Sequence, residues 1–176
     1  MMQPVDDAVD HARGPAGAHT IVEYGDYECP FSRAAFRQIE LVERRSSDGV
    51  RFVFRHFPLT EIHPHALAAS AAAEAAALQD RFWDMHELLY HRQKALGEED
   101  LRGYASDLGL DVDRFDDDRT SERVLDRLRR DVDSGVASGE VLGTPTLFID
   151  GVVYRDSYDA ERLLEALRRL RAAPQR

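Results

Sequence analysis

The stretch Asp26-Tyr27-Glu28-Cys29-Pro30-Phe31-Ser32-Arg33 decides the fold, and it holds the only cysteine of the chain. Just upstream, His19-Thr20-Ile21-Val22-Glu23-Tyr24 is rich in β-branched and aromatic residues and reads as a strand. Just downstream, Phe36, Ile39 and Val42 recur at the spacing of an amphipathic helix. Pro30 has no N–H to lose and a preset φ, so it suits the first helical position and makes Cys29 the N-cap. A sulfur there faces unpaired backbone N–H groups and the positive end of the helix dipole. Such a position can bring a cysteine pKa down to roughly 3.5–7.5. Placement alone leaves two readings open: a reactive thiol, or a buried structural cysteine, since free Cys is among the most buried residue types.

The segment Glu23-Tyr24-Gly25-Asp26-Tyr27-Glu28-Cys29-Pro30-Phe31-Ser32 resembles the active-site segment of the DsbA-like branch of the thioredoxin superfamily. Further motifs follow in order: Phe54-Arg55-His56-Phe57-Pro58-Leu59, Ile62-His63-Pro64-His65-Ala66, Arg81-Phe82-Trp83-Asp84-Met85-His86, and Gly143-Thr144-Pro145-Thr146 running on to Gly151. The resemblance covers about Val5 to Leu170, nearly the whole chain. In that branch Cys-Pro-X-Cys opens the first long helix. Here Ser32 stands in place of the second cysteine. The resemblance implies that Cys29 is the attacking thiol, and that the bond before Pro145 is cis with its loop lying beside Cys29.

The chain has 176 residues, enough for one domain with a sizeable core. Its 43% hydrophobic and 32% charged content are those of a soluble globular protein. A net charge of −10 argues against nucleic acid or an anionic membrane as partner. A single cysteine excludes any disulfide within the chain. No apolar run reaches the roughly 20 residues that span a bilayer. The stretch Met1 to His19 carries acids where a signal peptide carries positive charge, and it has no apolar centre; the expected location is cytoplasmic.

Residues 1–17, with Pro4, Gly14, Pro15 and Gly17, read as a lead-in segment. Strand 18–24, a helix from Cys29 to about Arg45 and the alternating strand Val50–His56 form a right-handed βαβ unit. The pattern then turns helical. His63-Pro64 opens a helix with Pro at its first position, and Ala66 to Leu78 is dense in Ala. Helical pieces follow at Phe82 to Leu89, Glu98 to Leu108, Val112 to Phe115 and Ser121 to Ser138. The charge runs Asp116–Asp118 and Arg127–Asp131 read as solvated faces. Thr146–Ile149 and Val152–Tyr154 read as strands joined by an Asp150-Gly151 hairpin turn, and Asp159 to Leu170 as a closing helix. The expected class is α/β: a thioredoxin-like fold with a mixed four-stranded sheet, βαβ plus ββα, and a helical insertion. The parts are a first half at 18–62, the insertion at 63–142 and a second half at 143–176.

The candidate catalytic residues are Cys29 and Ser32. Ser32 sits one helical turn on; its hydroxyl either donates to the Cys29 thiolate or satisfies a backbone group at the helix start. It cannot resolve a mixed disulfide, which needs a second thiolate. Pro30, Phe31 and Asp26 support the site: Phe31 as an exposed substrate contact, and Asp26, with Glu28, as a proton acceptor or a solvated turn acid. Thr144 and Pro145 are the substrate-binding residues, leaving the Thr144 backbone free to pair with an extended peptide. His56, His63 and His65 lack a partner set at metal spacing, so no metal is expected.

Three functions fit. The first is a monothiol thiol–disulfide oxidoreductase acting on a disulfide-containing or glutathionylated protein or small thiol. It would carry no bound cofactor and use an external thiol such as glutathione as co-substrate. The second is an enzyme resembling kappa-class glutathione transferases and isomerases, with the helix end holding a glutathione thiolate. The third is a non-catalytic peptide-binding or chaperone module. The retained Cys29-Pro30 pair favours the first.

Overall fold

The computed structural model describes residues 1–172. The centre is the unit that the sequence marks most clearly: strand β2 (Thr20–Gly25), helix α1 (Pro30–Arg45) and strand β3 (Arg51–His56), with β2 and β3 parallel. Phe36, Ile39 and Val42 form the buried stripe of α1 against the sheet. Burying each such side chain is worth about 1.5–3 kcal/mol. Arg44 and Arg45 in the last turn complement the negative end of the helix dipole.

Strand β1 (His11–Arg13) pairs antiparallel with β3. After the insertion come β4 (Thr146–Ile149), β5 (Val152–Tyr154) and helix α7 (Ala160–Ala172). The sheet order is β1-β3-β2-β4-β5, with β4 antiparallel to β2 and β5 antiparallel to β4. The Asp150-Gly151 turn has φ of 49° and 81°, the left-handed pair that a two-residue hairpin needs.

Between β3 and β4 lie α2 (Ala66–Ala77), α3 (Phe82–His91), α4 (Glu98–Asp107), α5 (Val112–Arg119) and α6 (Glu122–Ser138). Helix α2 is the axis of this bundle. Its alanines are buried nearly all round, so small side chains let its neighbours approach. Asp111 caps α5 by accepting from the Arg114 N–H at 3.0 Å, and Ser121 caps α6 by accepting from the Val124 N–H at 3.3 Å. Helix α6 ends at Gly139, whose φ of 72° is the left-handed closing conformation.

The sheet divides two apolar cores. Ile21, Phe52, Phe54 and Leu147 face α1, α3 and α7. Val22, Tyr24, Val53 and Phe148 face the other way, against Met2 and Val141. On that second face a Cβ at Gly135 of α6 would lie 2.9 Å from the Phe57 ring, so only glycine permits this approach.

Four expectations are corrected. The sheet has five strands rather than four, because the lead-in segment contributes β1. Three residues are too few to show alternation, and β1 forms because β3 offers an edge. Pro64 lies in a turn rather than at a first helical position; α2 begins at Ala66. The run Arg127–Asp131 is a solvated face only in part: Arg129 is exposed, but Asp131 is wholly buried and paired with Arg127. Asp26 is likewise no solvated turn acid but a fully buried residue. Residues 173–176, assigned above to the second half, lie outside the described residues.

Candidate functional site

Cys29 is the N-cap residue of α1, with Pro30 in the first helical position. The thiol is 3% exposed and donates to the Thr144 carbonyl oxygen at 3.3 Å. The Thr144–Pro145 peptide is cis. Helix start and β4 loop therefore meet at the sulfur, although Cys29 and Thr144 lie far apart in sequence. Phe31 and Leu142 stand on the outer rim, both well exposed. A cleft of about 440 Å³ runs along Gly143, Thr144 and Pro145 towards Tyr154 and Tyr158.

The turn carrying the thiol is held from three sides. Asp26 accepts from the Glu28 N–H at 2.8 Å, the Leu59 N–H at 2.9 Å and His63 Nδ1 at 2.8 Å. The Glu28 carboxylate accepts from the His65 N–H at 2.6 Å. Gln93, just past α3, donates from Nε2 to the carbonyls of Tyr27 and Cys29. Ser32 is fully buried and accepts from the Asp26 N–H at 3.2 Å. Its hydroxyl thus satisfies a backbone group; among the described residues no hydrogen bond joins it to Cys29.

Beneath this turn lies a residue that the sequence reading passed over. Glu23 of β2 is wholly buried, and neither carboxyl oxygen has a hydrogen-bond partner. Burial pushes its pKa up to about 8, so it holds its proton near neutrality. It shares its sheet face with α1, and the Tyr90 hydroxyl nearby also lacks a partner. A Cβ on Gly25 would lie 2.9 Å from both Glu23 Oε1 and the Tyr90 oxygen, so glycine leaves this polar pocket open. A signal for Glu23 was present. Parallel strands are covered on both faces, so a charge inside one is buried. Gln93 carries no such signal, because only the fold brings it to the turn.

A second polar cluster joins β1, β3 and α2. His11 Nε2 and His56 Nε2 each lie 2.8 Å from Glu74 Oε1. Burial would raise the Glu74 pKa, but the hydrogen bonds from the two histidines outweigh it and hold the carboxyl well below its ordinary range. Among the described residues these three form the group whose ligand atoms converge to within 4.8 Å. The spacing is that of hydrogen bonds. A tetrahedral metal at about 2.0–2.1 Å from each atom would hold them about 3.3 Å apart. Arg127 Nε, 3.9 Å from the same oxygen, already brings positive charge. His63 and His65 belong to the Cys29 turn and do not join this cluster.

The arrangement sets a single thiol at a helix start beside the Thr144 loop. A family model described as Thioredoxin matches residues 8–169. The chain is 45% identical over 169 residues to Na(+)/H(+) antiporter NhaA 1 of Salinispora arenicola, covering 95% of this chain and 26% of that protein. It is 45% identical over 170 residues to Na(+)/H(+) antiporter NhaA of Herminiimonas arsenicoxydans, covering 94% and 27%. The chain thus spans about a quarter of the length of the curated relatives it matches. Among solved structures it is similar to a thioredoxin-like oxidoreductase from Silicibacter pomeroyi, with TM-score 0.83 and 25% identity over 96% of this chain and 95% of that one. It shares its fold with oxidised BdbD from Bacillus subtilis, at TM-score 0.80 and 21% identity over 93% and 94%. It also shares it with the thiol-disulfide exchange protein alpha-DsbA2 from Wolbachia pipientis, at TM-score 0.78 and 20% identity over 93% and 88%. The chain belongs to the thioredoxin family and has the fold of its DsbA-like branch.

Proposed function

We propose that this chain is a thiol–disulfide oxidoreductase working through Cys29 alone. The observation that carries the reading is the meeting of Cys29 Sγ with the Thr144 carbonyl at the first turn of α1. The Cys29 thiolate attacks one sulfur of a substrate disulfide. A Cys29–substrate disulfide forms, the old S–S bond breaks, and the second sulfur leaves as a thiolate that takes up a proton. An external thiol such as glutathione then attacks the mixed disulfide. It attacks the sulfur held by Cys29, the bond to Cys29 breaks, Cys29 leaves as thiolate, and the external thiol ends in a disulfide with that group. With glutathione as the group held by Cys29, these two steps complete deglutathionylation; full reduction of a substrate disulfide takes a second external thiol, and isomerisation takes a second substrate thiol in place of the external one.

The α1 N-terminus supplies unpaired N–H groups and a positive dipole end for the thiolate. The cleft along Gly143, Thr144 and Pro145 and the exposed Phe31 ring give an extended, partly apolar substrate a seat beside the thiol. Glu23 is the buried acid of the site: its carboxyl, protonated near neutrality, adds no negative charge opposing the thiolate. A lone thiol needs a supply of small thiols, which makes a reducing compartment such as the cytoplasm the proposed setting. No helix among the described residues is long and apolar enough to cross a membrane. The antiport named for the longer relatives is not proposed for this chain.

The test is turnover of a glutathionylated peptide with excess reduced glutathione. The native protein should accelerate release, and Cys29→Ser should reduce the rate to that of glutathione alone. Ser32→Cys should release bound substrate without an external thiol. Equal rates for the native protein and Cys29→Ser would leave the peptide-binding reading as the better one.

A further inference from the structure

Helix α3 packs its end on the start of α1: the Tyr90 and Phe36 rings stack with centroids 5.0 Å apart, and His91 meets Phe36 edge-on at 5.4 Å. The chain leaves α3 at Arg92, and the next side chain, Gln93, reaches back to the turn that carries the thiol. Its Nε2 lies 2.7 Å from the Tyr27 carbonyl oxygen and 2.9 Å from the Cys29 carbonyl oxygen. Both partners are pure acceptors, so the amide nitrogen must face them and its two N–H groups are both used. The Cys29 carbonyl also accepts the first intrahelical bond of α1, from the Arg33 N–H at 3.1 Å. Gln93 and the helix together fill its acceptor sites.

The Gln93 N–H groups thus satisfy two carbonyls of the thiol turn, those of Tyr27 and Cys29. The same two bonds bracket Glu28 and fix where the turn places Sγ against Thr144. A side chain of the helical insertion, on neither β2 nor α1, thereby sets the surroundings of the thiol.

We propose that Gln93 is a positioning residue for Cys29, one that holds the thiol turn at the start of α1 so that the sulfur reacts as a thiolate. This rests on the oxidoreductase reading above and adds to it a residue outside the Cys-Pro-Phe-Ser turn. Its action runs through backbone carbonyls and not through contact with substrate.

The experiment is the alkylation rate of the thiol by iodoacetamide against pH, for the native protein and for Gln93→Ala, Gln93→Glu and Gln93→Lys, with thermal melting of each. The midpoint of the pH–rate curve should rise by about one unit in Gln93→Ala, which is about a tenfold slower reaction well below the midpoint. It should rise further in Gln93→Glu, which sets a carboxylate against two carbonyls. Gln93→Lys restores donors and adds charge, and should return the midpoint to the native value or below it. If Gln93→Ala does not fold, the Glu and Lys variants decide, with the Glu midpoint above the native one and the Lys midpoint at or below it. Four coincident midpoints below the roughly 8.5 of free cysteine would overturn the inference and leave the oxidoreductase reading standing. A native midpoint equal to that of free cysteine would overturn both.

Discussion

Arg55 and Glu23 sit on neighbouring strands, are both wholly buried, and point to opposite faces of one sheet, yet they are treated in opposite ways. On the face shared with Val22 and Tyr24, the Arg55 guanidinium is fully partnered. Its Nε and Nη2 bond the two Asp10 oxygens at 3.0 and 2.8 Å, and it also donates to the Tyr24 hydroxyl and the carbonyls of Gln3 and Pro4. Its burial opposes the charge, but the bonds to Asp10 and Tyr24 outweigh this and raise its pKa. On the face covered by α1, the Glu23 carboxyl has nothing. The comparison teaches where the fold places stability and where it keeps a chemical group. A satisfied ion pair ties the N-terminal segment to the sheet. An acid with neither oxygen bonded is tolerated on the face that α1 covers, where a proton near neutrality has a use.

The largest effect should come from breaking the satisfied face. Arg55→Met takes from buried Asp10 its two-armed partner, leaving the Asp6 N–H at 2.8 Å and Arg130 at 3.4 Å, and should lower stability by about 3 kcal/mol in urea unfolding. Adding Asp10→Leu should recover most of that loss. A single variant as stable as the native protein would show that the ion pair does not hold the N-terminal segment.

On the other face the sign is reversed. Glu23 has a folded-state pKa of about 8 against an ordinary 4.5. The folded state therefore holds a proton that the unfolded state has lost between those values, and stability falls as pH rises through that window. Glu23→Gln should remove this slope and be more stable than the native protein at pH 9, on the order of a few kcal/mol. Parallel stability–pH curves for the two proteins would mean that Glu23 ionises as freely folded as unfolded.

The smallest effect tests the same pocket. The Tyr90 hydroxyl is buried without a partner, so Tyr90→Phe removes a desolvated group and keeps the ring stack on Phe36. Stability should be unchanged or higher by up to about 1 kcal/mol. A loss above that would show that the hydroxyl is bonded.

Much of this architecture was legible in the residues. Cys29-Pro30 before an apolar stripe marks a capped helix, Asp150-Gly151 between two short apolar runs marks a hairpin, and the alanines of α2 mark a helix whatever surrounds it. These signals are local, and the structure keeps them. The rest depends on what lies across the fold. His11-Ala12-Arg13 has no strand pattern of its own and becomes β1 through β3, with Arg55 gripping Asp10 beside it. Asp131 sits in a charge run that looks solvated, but α6 turns it inward to accept from the His56 N–H at 2.9 Å. Asp26 and Glu28 look alike in the sequence. Only the loop at Leu59 to His65 decides that the first is buried with three donors while the second meets a single one at the surface. Gln93 is placed by the stacking of α3 on α1, which no pattern around residue 93 announces.

The most direct test of the single-thiol account is the intact mass of the native protein after incubation with oxidised glutathione, and again after reduced glutathione is added. The account predicts one glutathione adduct, absent in Cys29→Ser, that reduced glutathione removes completely. A native protein whose mass does not change, or whose adduct resists reduced glutathione, would contradict it.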